Sequence, residues 1–100
     1  MLPIALILYG RPECHLCADM KEMVAPVARE LGCTLEHIDI SGNSELEARY
    51  GTEIPVLLIN GRKAFKYRVT ERALRQRLAR EGAGFQAVPR GLLSPKGRRL

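Results

Sequence analysis

No apolar run in this 100-residue sequence approaches the roughly 20 residues that a bilayer-spanning helix needs. Met1 to Tyr9 is apolar but short. It has no basic region before it and no small-residue cleavage site after it, so it makes a poor signal peptide and reads instead as a buried strand. The three cysteines are an odd number, against a framework of paired disulfides. There is no internal repeat. Acidic residues are missing from 82–100, where Arg90, Lys96, Arg98 and Arg99 contribute +4 of the net +5. Residues 1–81 hold the remaining 12 basic side chains against all 11 acids and are nearly neutral. The basic tail has no interleaved aromatics, so nucleic-acid binding is not expected of it.

What is present suits one folded domain. Apolar residues make up 46% and charged residues 27%. A chain of this size buries enough surface to fold alone, with little to spare. That excludes a wholly disordered or collagen-like chain. The expectation is a cytoplasmic, monomeric protein that binds neither membrane nor nucleic acid. In that compartment, a close cysteine pair is more often catalytic or metal-binding than structural.

Pro3 to Tyr9 is a continuous apolar run suited to a strand covered on both faces. After Gly10, Arg11 and Pro12, the apolar residues Leu16, Met20, Met23, Val24, Val27 and Leu31 form one helical stripe of about five turns, with Gly32 as its stop. Pro26 falls inside that helix and is expected to kink it, or to loosen its hydrogen bonding near Glu22 and Met23. Cys33 to Ile40 reads as a second strand, and Ser44 to Tyr50 as a short helix. Pro55 to Asn60 reads as a third strand, turned by Asn60-Gly61 into a return strand over Lys63 to Tyr67. Thr70 caps a last helix that ends near Gly82. Its arginines 72, 75, 77 and 80 read as a solvated face. The order is β-α-β-α-β-β-α. It predicts an α/β domain over residues 1–82, with a four-stranded mixed sheet and helices on both faces. Residues 83–100 read as a basic, flexible C-terminal tail.

The chemistry points to Cys14-His15-Leu16-Cys17, a C-x-x-C after a buried strand and at the first turn of an amphipathic helix. Free N–H groups and the helix dipole at such a position stabilise a thiolate, the nucleophile of disulfide exchange. Cys17 lies on the same helical face, close enough to form a disulfide. Cys14, nearer the helix end and solvent, is the candidate attacking thiolate, and Cys17 the candidate resolving thiol. Arg11 and His15 add positive charge nearby, while Glu13 opposes it. His15, if protonated, would favour the thiolate and make the pair somewhat more oxidising than thioredoxin's. Two other uses of the cysteines stay open. One is half of a zinc or shared iron–sulfur site, although a second cysteine pair is lacking. The other is a fold retained only for binding. Cys33 reads as a small buried hydrophobe, and His37 as a surface or strand-end residue. Asp39 reads mainly as a cap for the turn at Ser41, with a proton-accepting role beneath Cys17 as its alternative.

The stretch from Tyr9 to Cys17 (YGRPECHLC) resembles the glutaredoxin active-site sequence Y-T-K-P-x-C-P-Y-C. Glu53 to Gly61 (EIPVLLING) is similar to that family's T-V-P-x-V-F-I-N-G. The resemblance runs over residues 3–81 and implies a thioredoxin-like fold. It also implies a cis Pro55 facing the cysteines, an Ile54 whose backbone pairs with substrate, and an Arg11 that meets the glycyl carboxylate of glutathione. Phe65, Lys66, Arg68 and Val69 replace the Gly-Gly and acidic pair that grip the γ-glutamyl end of glutathione in that family. The implied activity is thiol–disulfide exchange in cellular redox homeostasis. Its substrates would be protein disulfides or glutathione mixed disulfides, with thioredoxin reductase a candidate electron donor. Glutathione would enter as cosubstrate, and no bound cofactor is required.

Overall fold

The computed structural model describes residues 3–82, so the expected tail at 83–100 lies outside the described residues. Strand β1 (Ala5–Gly10) leads into helix α1 (His15–Leu31) and strand β2 (Thr34–Asp39). Helix α2 (Ser44–Tyr50), strands β3 (Val56–Ile59) and β4 (Arg62–Lys66), and helix α3 (Glu71–Arg80) follow. The sheet order is β2-β1-β3-β4. β1 runs parallel to β2 and antiparallel to β3, and β3 runs antiparallel to β4. The element order is the one that the periodicities predict.

Local signals account for the boundaries. Gly32 takes a left-handed conformation (φ 72°) and its N–H caps the carbonyls of Ala28 and Arg29. Thr70 Oγ1 accepts the Ala73 N–H at 3.1 Å and starts α3. Asn60 and Gly61 both have positive φ (50° and 83°), as a tight primed hairpin turn requires. Pro26 does not break α1, which is helical from His15 to Leu31. Pro26 lies on the exposed side, where water can satisfy the Glu22 carbonyl that its missing N–H leaves unbonded.

The two sheet faces carry unequal cores. α1 and α3 cover one face, where Leu6, Leu8, Met20, Val24, Leu57, Ile59, Leu74 and Leu78 are buried together. Each such side chain contributes about 1.5–3 kcal/mol on burial. The other face holds a smaller cluster of Ile40, Tyr50, Val56 and Leu58, supported by Tyr9 stacked on Tyr50 at 4.7 Å between ring centroids. Helices therefore lie on both faces, with α2 on the second. Arg75 is more than part of a solvated face. Its guanidinium bridges from α3 to both carboxylate oxygens of Glu30 on α1 (3.0 and 2.8 Å) and also bonds Glu71. The Arg75 pKa is raised by those bonds.

Candidate active site

The C-terminal end of β1 and the start of α1 place Cys14 at the N-cap. Its backbone is extended (φ −100°, ψ 113°), and its Sγ accepts the Cys17 N–H at 3.1 Å. A sulfur that accepts an orphan helix N–H sits where negative charge is favoured. Cys14 is bonded to Cys17 as a disulfide, with Cα atoms 5.1 Å apart. The two environments differ. Cys14 is half-buried at the rim, whereas Cys17 is buried, only 2% exposed.

Gly10, the last residue of β1, lies directly against Cys17. A Cβ on Gly10 would come within 2.9 Å of the Cys17 sulfur and 3.0 Å of its Cβ, closer than packed atoms tolerate. His37 Nε2 is 3.6 Å from the same point. Asp39 is fully exposed rather than beneath the cysteines. Its carboxylate accepts the Ser41 N–H at 2.8 Å, as the turn-capping reading expects. That bond, helped by the nearby charges of His37 and Arg11, lowers its pKa.

Arg11 already has a carboxylate partner, Glu47 on α2. Gly51 closes α2 beside this pair, and a Cβ there would come within 2.5 Å of the Glu47 carbonyl oxygen. His15, first residue of α1, has a side chain 90% exposed, its Nε2 3.6 Å from Asp19. Across from the cysteines, the Ile54–Pro55 peptide is cis. Pro55 is wholly buried, so Ile54 is the member of the pair that reaches the surface. Ile54 lines an open cleft of about 580 Å³ with Arg11, Pro12, Glu13, Cys14 and Ser41. Among the described residues, no backbone hydrogen bond engages Ile54. Tyr67 anchors this loop, its N–H donating to the Pro55 carbonyl (2.8 Å) and its hydroxyl to the backbone carbonyl of Thr52 (3.0 Å).

Cys33 is half-buried against the larger core, and burial raises its pKa. Among the described residues, no group of three or more His, Cys, Asp or Glu side chains is placed to hold a metal ion. No helix among them is long and apolar enough to cross a membrane.

Residues 5–79 match the glutaredoxin-like domain (DUF836). The chain belongs to that glutaredoxin-like family. A glutaredoxin-like protein of Dictyostelium discoideum is 31% identical over 74 residues, covering 68% of each chain. A solved structure from Nitrosomonas europaea superposes with TM-score 0.66 at 28% identity, covering 77% of this chain and 93% of the other. A Halobacterium salinarum thioredoxin variant superposes with TM-score 0.58 at 22% identity, covering 77% of this chain and 73% of its own, a likeness that establishes the thioredoxin fold alone.

Within this glutaredoxin-like frame, the segment that departs from the glutathione-gripping pattern borders a second groove. Phe65, Tyr67, Arg68 and Val69 face Leu16, Met20 and Met23 of α1 across a cleft of about 490 Å³. Phe65 also packs on the larger core. Sequence reasoning singles out the cysteines, Arg11, His15, Ile54 and Pro55; the fold sets Arg11, Cys14 and Ile54 around one cleft, with Cys17 and Pro55 buried and the His15 side chain turned to solvent. It missed Gly10 and Glu47, and it placed His37 on the surface without linking it to Cys17. The parallel pairing of Gly10 with Asp39 and of Leu8 with His37 brings His37 alongside. Register between strands so far apart in sequence has no local signal.

Proposed function

We propose that this glutaredoxin-like protein is a thiol–disulfide oxidoreductase of the cytoplasm. Cys14 attacks a substrate disulfide and Cys17 resolves the mixed disulfide. The observation that carries the reading is the asymmetry of the pair. Cys14 Sγ is at the rim and accepts a helix N-terminal N–H, while Cys17 is held beneath it at bonding distance. In the reduced protein the same N–H and the helix dipole stabilise a Cys14 thiolate.

The catalytic cycle balances without a bound cofactor. The Cys14 thiolate attacks one sulfur of the substrate disulfide, forms a mixed disulfide and expels the first substrate thiolate. Cys17 then attacks Cys14 Sγ, forms the internal disulfide and releases the second thiolate. Two electrons and two protons pass from the dithiol to the substrate, and an external reductant restores the dithiol. The unengaged backbone of Ile54 beside Cys14 supports pairing with an extended peptide, and the second groove, mainly apolar with Asp19 and Arg68 among its lining, suits a protein segment. We favour protein disulfides as substrates, glutathione mixed disulfides as secondary ones, and a thioredoxin reductase as donor.

The test is a redox titration with alkylation and mass spectrometry at each potential. A reversible Cys14–Cys17 disulfide with a midpoint between roughly −280 and −180 mV is expected. Failure to form it under any mild oxidant would refute the redox reading.

A further inference from the structure

Cys17 is the thiol that must lose a proton, yet burial disfavours its thiolate, and the helix N–H that Cys14 accepts is its own. The resolving step therefore needs a proton acceptor beside Cys17. Asp39 does not supply one, being fully exposed and bonded to the Ser41 N–H. The space over Gly10 offers another candidate, His37. Cys17 Sγ and His37 Nε2 lie 2.9 and 3.6 Å from the single point that a Gly10 Cβ would occupy, so no more than the sum of those distances separates them. No side chain of Gly10 stands between them.

The geometry points to His37 as the proton acceptor for Cys17 in the resolving step, a role that rests on the thiol-exchange reading above. As Cys17 Sγ attacks Cys14 Sγ of the mixed disulfide, its proton moves to His37 Nε2, directly or through one water in the space over Gly10. The Cys14–Cys17 bond forms, the bond from Cys14 to the substrate sulfur breaks, and the leaving thiolate departs with the electron pair. The imidazolium then returns its proton to solvent or to that thiolate. The surroundings suit a transient positive charge. Asp39 follows His37 by two residues on the same face of β2, and the two attract. Arg11, which also acts on Asp39, is held by Glu47. On α1 the group near that point is Cys17 itself, and Lys21, one turn further along the helix, is exposed. Exposure of His37 on the edge strand lets it exchange protons with water.

The test uses the reduced protein and a chromogenic aromatic disulfide in stopped flow. The first equivalent of coloured thiolate reports Cys14 attack and the second reports resolution by Cys17. In His37→Gln the first phase is expected within about twofold of wild type, which also certifies the fold. The second phase is expected to slow about tenfold at neutral pH. Its pH profile should change from an imidazole inflection to the simple rise of an unassisted thiol. A second phase unchanged in rate and profile, or slowed equally at every pH, overturns the assignment. A wild-type chain that released neither equivalent would instead overturn the thiol-exchange reading itself.

Discussion

Cys14 and Cys17 are one helical turn apart and live in different surroundings. The Cys14 side is an open cleft with Arg11, Glu13 and Ile54, at the end of a helix and against water. The Cys17 side is a packed wall, where Gly10 leaves no room for a methyl group. The same residue type thus meets two demands: accessibility and a stabilised anion at the rim, and positional constraint beneath it. The largest expected effect separates the two. Cys14→Ser should reduce exchange to background. Cys17→Ser should still attack and then stall, accumulating a mixed disulfide visible as added mass after glutathione disulfide treatment. Equal loss in both variants without an adduct would erase the distinction between attacker and resolver.

The packed wall can be tested directly. Gly10→Ala places a methyl group against Cys17 Sγ and Cβ. Overpacking of this kind costs about 1–3 kcal/mol, and each kcal/mol lowers Tm by roughly 4–8 °C in a domain this small. Thermal unfolding of the oxidised protein measures it. An unshifted Tm would show that the wall yields.

The cysteine pair, the hairpin and the helix caps were legible in the sequence because each rests on local chemistry. Asn60-Gly61 supplies two positive φ angles, Thr70 supplies a cap oxygen, and C-x-x-C supplies two sulfurs on one helical face. The rest depends on residues far apart in the chain. The resemblance assigns Arg11 to a substrate carboxylate, and it carries no sign of Glu47, which α2 brings to Arg11 across 36 residues. His37 looked like an ordinary strand residue until the β1–β2 register set it beside Gly10. Gly10 looked like a simple stop, because the helix side chain that presses on it is seven residues away.

The open side yields smaller effects. The Arg11–Glu47 pair is more than one-third exposed on both partners, so its loss should cost less than about 1 kcal/mol of stability. Its influence on substrate charge is more telling. Arg11→Ala should slow exchange with anionic disulfides a few-fold and leave neutral ones unchanged, whereas Glu47→Gln, by freeing the guanidinium, should accelerate the anionic ones. Cys33 provides an internal reference. With its thiol pKa raised by burial, its thiolate is scarce near neutrality, so iodoacetamide should label it well after Cys14 in the reduced chain. Comparable labelling rates would mean that the helix N-terminus does not activate Cys14.

The smallest effect concerns His15, which sits between the cysteines in sequence but points outward. Its side chain is 90% exposed and 3.6 Å from Asp19, itself more than half exposed. A protonated imidazole there favours the Cys14 thiolate, but water and Asp19 both weaken its field. Interactions of this exposed kind are worth about 0.2–1 kcal/mol, which for a two-electron couple is roughly 5–20 mV. His15→Leu should therefore lower the reduction potential by that amount at acidic pH, where the imidazole is charged, and by less as pH rises. Equilibration against glutathione redox buffers at two pH values resolves it. A shift several times larger would place His15 against the Cys14 sulfur in the reduced protein.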